Sequence, residues 1–270
     1  MRGLLASPLG FLIGLSLGAL GGGGSILAVP ALVYAAGQSP KDATTTSLVL
    51  VAVTALIGMI PHWRGGRVRV APGFIFGLAG IGGSLLGSRW NKAADPDVLL
   101  ILFSGLMLVA AYGMWRRVRT AAPVASVPKS VGAAAAPVAP PPVGFDPMTI
   151  TKVVGAGTIV GLLTGFFGVG GGFVIVPALV LALGFTMPEA IGTSLLVIAI
   201  NAMVALTTRL QSGAIEWGTV LPFTIASMIG VLVGSRLAST RDSSSLQRWF
   251  VWLLVAVAVY TAVRSVLALW

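Results

Sequence analysis

Several stretches of this chain run for about 20 residues without an ionisable group, and that is the length a helix needs to cross the hydrocarbon core of a bilayer. Lipid cannot hydrogen-bond a bare backbone, so stretches of this kind must be helical. Composition leads to the same place. Of 270 residues, 56% are apolar and 9% charged, and the mean hydropathy is +0.99, which excludes a water-soluble core. The fold class predicted is an all-α polytopic membrane protein, with the lipid bilayer as its first partner.

Apolar runs bounded by charges and turn residues give eight segments, near 4–36, 43–61, 70–88, 98–115, 153–184, 190–208, 217–237 and 249–268. Six have the length of one crossing. The first and fifth are much longer and are interrupted by glycines, so each is expected to be broken or re-entrant. The first is read as a retained segment, because the apolar run from Leu4 outlasts a signal-peptide core and offers no cleavage site. Residues 120–149 are rich in Ala and Pro and include Pro140-Pro141-Pro142, a composition that forms a flexible linker. The linker separates two four-segment units, 1–119 and 150–270.

The two units are copies of one another. A shift of 147 residues aligns Gly10 through Arg89 with Gly157 through Arg236 without a gap. Gly10, Gly14, Gly18, Gly21, Gly23 and Gly24 fall on Gly157, Gly161, Gly165, Gly168, Gly170 and Gly171. Pro30-Ala31-Leu32-Val33 falls on Pro177-Ala178-Leu179-Val180, Thr46-Ser47-Leu48 on Thr193-Ser194-Leu195, and Gly87-Ser88-Arg89 on Gly234-Ser235-Arg236. Shared glycines, hydroxyls and an arginine go beyond what common hydropathy produces. Duplicated membrane units are the mark of secondary transporters, whose substrate sites lie between the repeats.

The net charge of +10 does not point to nucleic acid, because the basic residues sit between apolar segments with no aromatic-interleaved basic face. Counting them by side divides the 17 Lys and Arg residues eleven against six. The division is the same whether every segment crosses, giving parallel units, or the first and fifth re-enter, giving inverted units. In both arrangements the linker is cytoplasmic. With no cysteine, the chain has no disulfide, thiolate metal site or cysteine nucleophile.

Gly21-Gly22-Gly23-Gly24 with Ser25, and Gly168-Val169-Gly170-Gly171-Gly172, are the sharpest local features. A glycine run inside a helix costs up to about 1 kcal/mol per residue relative to alanine, which favours an unwound stretch and a fresh helix start. Bare N–H groups facing one point would make an anion site without charged side chains. Close helix packing through glycine is the competing reading. It is the preferred one for glycines spaced four apart, such as Gly10/Gly14/Gly18 and Gly157/Gly161/Gly165.

Asp42 and Glu189 are read as helix N-terminal residues. Thr46, Ser47, Thr193 and Ser194 are read equally as cap-region hydroxyls and as donors to an oxyanion. Arg89 and Arg236 stand as interface anchors or as anion attractors, Asn201 as a polar contact within its segment, and His62 as a residue of the cytoplasmic loop. The absence of paired carboxylates, of a metal-ligand cluster and of any nucleophile–base pairing argues against an enzyme, and no metal or cofactor is called for.

The pattern Gly-x3-Gly-x2-Gly-x-Gly-Gly, then Val-Pro-Ala-Leu, Thr-Ser and Gly-Ser-Arg, twice over, resembles the TauE/SafE sulfite-exporter family, also called TSUP permeases. The resemblance covers nearly the whole chain apart from the linker. It implies a permease of a bacterial or archaeal cytoplasmic membrane that exports sulfur-containing anions such as sulfite or organosulfonates, with the glycine clusters carrying the substrate site. Ser25, standing where the second copy has Gly172, departs from the pattern. The expectation is a secondary transporter driven by a proton, another ion or the substrate gradient, since no nucleotide motif is present. A gated anion channel is the alternative, and oligomeric state has no signature in the sequence.

Overall fold

The computed structural model describes residues 7–34, 37–91, 96–120, 147–167, 172–209 and 217–268. Among them are ten α-helices and no strand. Helix α1 (Ser7–Leu20) and helix α2 (Ser25–Tyr34) are joined by a 3-10 turn, Gly21–Gly24. Then come α3 (Pro40–Arg64), α4 (Val70–Asn91) and α5 (Pro96–Thr120). After the linker stand α6 (Pro147–Phe167), α7 (Gly172–Leu181), α8 (Met187–Arg209), α9 (Trp217–Thr240) and α10 (Ser243–Ala268). Residues 121–146, which hold nearly all of the linker, lie outside the described set.

Seven helices, α3 to α6 and α8 to α10, are long and apolar enough to cross a membrane. Six of the eight segments read from sequence are each one such helix, and the first and fifth are built differently. The first resolves into helices of 14 and 10 residues, neither long enough alone, while the fifth contains α6 of 21 residues and α7 of 10.

Helix boundaries follow local chemistry. Ser39 caps α3 by accepting the Asp42 N–H at 3.2 Å, and Pro40 opens the helix where a missing N–H costs nothing. At α8 the bond runs the other way, with Glu189 in the first turn accepting the Thr186 N–H and hydroxyl through its Oε2 at 3.0 Å each. Arg117 of α5 donates to the carbonyls of Val180 and Gly184, closing the C-terminal end of α7.

Helices α3 and α8, the most deeply buried of the seven, form the centre, and α5 and α6 are the most exposed. They run antiparallel, since Gly58 faces Leu195 while Gly192 faces His62 and the Arg67 carbonyl. His62 is thus not a loop residue. It lies in the last turn of α3, fully buried against α8.

Two parallel pairs flank this centre. Gly10, Gly14 and Gly18 of α1 abut the backbone of Phe223, Ser227 and Val231 on α9, where the Ser227 hydroxyl donates to the Gly10 carbonyl at 2.7 Å. Gly157, Gly161 and Gly165 of α6 abut Phe76, Gly80 and Ser84 on α4 in the same manner. The four-residue glycine spacing is a packing device here, as expected from sequence.

One end of the bundle is basic. The α3–α4 loop with Arg67 and Arg69, the end of α5 with Arg117, the start of α6 with Lys152 and the turn after α7 meet there through the bonds of Arg69 to Glu189 and of Arg117 to Gly184, and through a shared pocket. Helix α6 starts, and α7 ends, at that pocket.

Candidate functional site

Gly21 adopts φ +71°, a left-handed conformation that residues with a Cβ rarely take, and it stops α1 at mid-chain of the first predicted segment. The next three residues complete a 3-10 turn, and all four glycines are buried. Ser25 restarts the helix. Its N–H and its hydroxyl, the latter at 2.7 Å, both donate to the Gly22 carbonyl.

This turn crosses the start of α7. A Cβ on Gly22 would coincide with the Gly172 carbonyl, so the two backbones are in direct contact and only glycine permits the approach. A Cβ on Gly172 would strike the Ser25 hydroxyl, and one on Gly21 would come within 2.5 Å of the Ser194 hydroxyl and 3.1 Å of Val176. Ser194 now donates to the Ile191 carbonyl at 2.8 Å and can rotate to another acceptor. The crossing thus gathers Gly21, Gly22, Gly23, Gly24, Ser25, Gly172 and Ser194 without a charged side chain among them.

The other residues singled out from sequence are dispersed. Gly168, Gly170 and Gly171 lie outside the described residues. Thr46 and Ser47 are buried on α3, with the Ser47 hydroxyl donating to the Thr44 carbonyl at 2.8 Å. Thr193 is fully buried and accepts the Arg69 N–H at 3.0 Å, tying α8 to the start of α4. Asn201 sits two turns, about 10 Å, beyond Ser194 on α8, with its amide nitrogen toward Gly80 and its Oδ1 buried without a partner. Arg89 and Arg236 are exposed near the ends of α4 and α9 and do not enter the crossing.

Two features were not singled out from sequence. Phe103 of α5 packs edge-on against Phe167 and Phe173, at 5.5 and 5.0 Å between centroids, the two residues that flank the second glycine cluster in sequence. Phe250 of α10, fully buried, approaches the Cβ position of Gly23 at 3.7 Å. These two phenylalanines are themselves 147 residues apart, a signal that lies just past the span over which the repeat is most obvious. The other feature is the ion pair of Arg69 with Glu189, 2.7 Å between Nη2 and Oε1, formed by residues read singly as a loop charge and a cap.

Crossing-length apolar helices around a buried glycine turn define a polytopic helical membrane protein whose α-helical backbone is interrupted inside its core. Such backbone is tolerated at membrane depth where protein buries it or a cavity opens beside it. The chain belongs to the TauE/SafE sulfite exporter family, whose profile matches residues 6–261.

Curated relatives agree. A "Probable membrane transporter protein" of Xylella fastidiosa is 35% identical over 259 residues, covering 95% of this chain and 93% of the relative. The "Probable membrane transporter protein YunE" of Bacillus subtilis is 25% identical, covering 97% of each chain. No solved structure matches the chain. Family and relatives make this a membrane transporter protein.

Proposed function

We propose that the protein is a secondary transporter that exports a small sulfur-containing oxyanion, sulfite or an organosulfonate, across a bacterial or archaeal cytoplasmic membrane. The anion binds at the glycine crossing, between two units of inverted orientation. The observation that carries this reading is the contact of Ser25 with Gly172, two positions 147 residues apart in sequence. Equivalent residues can touch only on the axis that relates two copies.

Other contacts support the same symmetry. Gly10 with Phe223 has its counterpart in Gly157 with Phe76, and Gly14 with Ser227 in Gly161 with Gly80. Central helices α3 and α8 are equivalents that run antiparallel, as inversion requires. In that arrangement α1 with α2, and α6 with α7, are re-entrant hairpins. Three helices of each unit cross, and the basic end with the linker is cytoplasmic by the eleven-to-six charge count.

Glycine N–H groups of Gly21–Gly24 and Gly172 give the anion close donors on an axis both units share, and Gly168, Gly170 and Gly171, the sequence equivalents of Gly21, Gly23 and Gly24, belong to the same proposed site. Ser25, Ser194 and Ser47 add hydroxyls, with Thr46, Thr193 and Asn201 forming the surroundings. Arg89 and Arg236, exposed and on equivalent turns, draw anions toward the two faces.

The test is flux into proteoliposomes of the purified protein with sulfite, sulfate, thiosulfate, taurine and sulfoacetate, with and without a proton gradient. Saturable flux of sulfite or a sulfonate that an imposed gradient drives uphill is expected. Flux that stays linear with concentration and never runs uphill would replace the transporter with a channel.

A further inference from the structure

A pocket of about 370 Å³ opens at the basic end of the bundle, apart from the glycine crossing. Its volume lies in the usual range for ligand pockets, roughly 300–1,000 Å³. Three elements that are distant in sequence build it: Arg69 and Pro72 at the start of α4, Thr149 and Lys152 in the first turns of α6, and Glu189 in the first turn of α8. The turn after α7 closes it.

The charges are unequal. Two cations face one carboxylate, and that carboxylate is fully engaged. Glu189 Oε1 accepts from Arg69 Nε at 3.0 Å and Nη2 at 2.7 Å, and its Oε2 accepts from the Thr186 N–H and hydroxyl. The Arg69–Glu189 pair is the only ion pair among the described residues, so Lys152 has no carboxylate partner there. Arg69 keeps Nη1 outside the pair, and Thr149 adds a hydroxyl. Arg69, Lys152 and Thr149 line one space, and a guanidinium, an ammonium and a hydroxyl are the groups that match an anion with several acceptor oxygens.

We propose that this pocket is a capture site for small oxyanions, sulfonates and sulfite-like ions, in which Lys152 and Arg69 hold the anion before it moves to the glycine crossing. Its role as a capture site rests on the transporter reading; anion binding in the pocket does not. Arg69 is tied through its backbone to Thr193, one residue from Ser194 at the crossing, so the two sites share α8 as a wall. Partial exposure makes the attraction sensitive to salt, because the screening length shrinks from about 10 Å at 0.1 M to about 3 Å at 1 M.

The chain has no native cysteine, so Thr149→Cys places a single thiol in the pocket. Its rate of labelling by a maleimide is measured in the purified protein with methanesulfonate, which is inert to both thiol and maleimide, and with chloride at equal ionic strength. Methanesulfonate is expected to slow labelling severalfold where chloride does not. Adding Lys152→Gln should abolish the slowing, and Lys152→Arg should keep it. Equal rates in the two salts, or slowing that survives Lys152→Gln, would overturn the proposal. Protection without any flux in proteoliposomes would instead remove the transporter reading and leave the anion site standing.

Discussion

At the residue scale, the glycines of the crossing are not interchangeable, and the reason is what each would meet. A methyl on Gly22 falls on the Gly172 backbone, which cannot move aside without separating the glycine turn from the start of α7. Overpacking of this kind costs about 1–3 kcal/mol or more, so Gly22→Ala is expected to lower the amount of folded protein in the membrane, measured by fluorescence-detected chromatography. A methyl on Gly23 clashes with the end of the Leu253 side chain, at 2.6 Å, and makes ordinary contacts with Phe250 and Leu20. Gly23→Ala should therefore reach the membrane at the parental level while its apparent affinity for sulfite falls.

Ser194→Ala removes a hydroxyl at the crossing without adding bulk. A hydrogen bond to a charged group contributes roughly 1.5–3 kcal/mol, so a loss of tenfold or more in affinity is expected. Parental affinity in both Gly23→Ala and Ser194→Ala would place the anion elsewhere. Arg89→Gln and Arg236→Gln, exposed and outside the crossing, should slow uptake at low salt more than at high salt, while the control Arg64→Gln, exposed at the end of α3, should not. Equal effects of all three would reduce Arg89 and Arg236 to anchors.

At the element scale, the pairs α1 with α9 and α4 with α6 depend on backbone contact through glycine. Gly161→Ala would drive a methyl into the Gly80 backbone, whereas a methyl on Gly82 meets nothing within 4 Å. Gly161→Ala should lower the melting temperature of the purified protein clearly, and Gly82→Ala should leave it unchanged. Gly73→Ala, meeting Leu196 and Thr193 side chains at 3.0 Å, should fall between them.

The crossing-length helices are legible in the sequence because their signal, a run of apolar residues between charges, is local. The broken first segment is legible for the same reason, since four successive glycines announce it. His62 reads as a loop residue because a lone histidine next to Pro61 and Arg64 marks a segment's end, and only the packing of α8 against that end buries it. The Arg69–Glu189 pair is invisible from sequence, because it joins residues 120 positions apart and each has an adequate reason to be where it is.

At the scale of the whole molecule, charge counting leaves parallel and inverted units equally placed, since both put eleven basic residues on one side. The proposal of inversion rests instead on the antiparallel run of α3 and α8, which occupy equivalent places in the sequence. The central claim, that the two units are inverted about the Ser25–Gly172 contact, is tested most directly by the sidedness of two equivalent residues, Ser39 before α3 and Thr186 before α8, 147 positions apart. Each is replaced by cysteine singly in the cysteine-free chain, and intact cells are treated with an impermeant maleimide. Inverted units predict that Ser39→Cys is labelled from outside and that Thr186→Cys is labelled only after the membrane is opened. Labelling of both from the same side would mean parallel units, and would contradict the account.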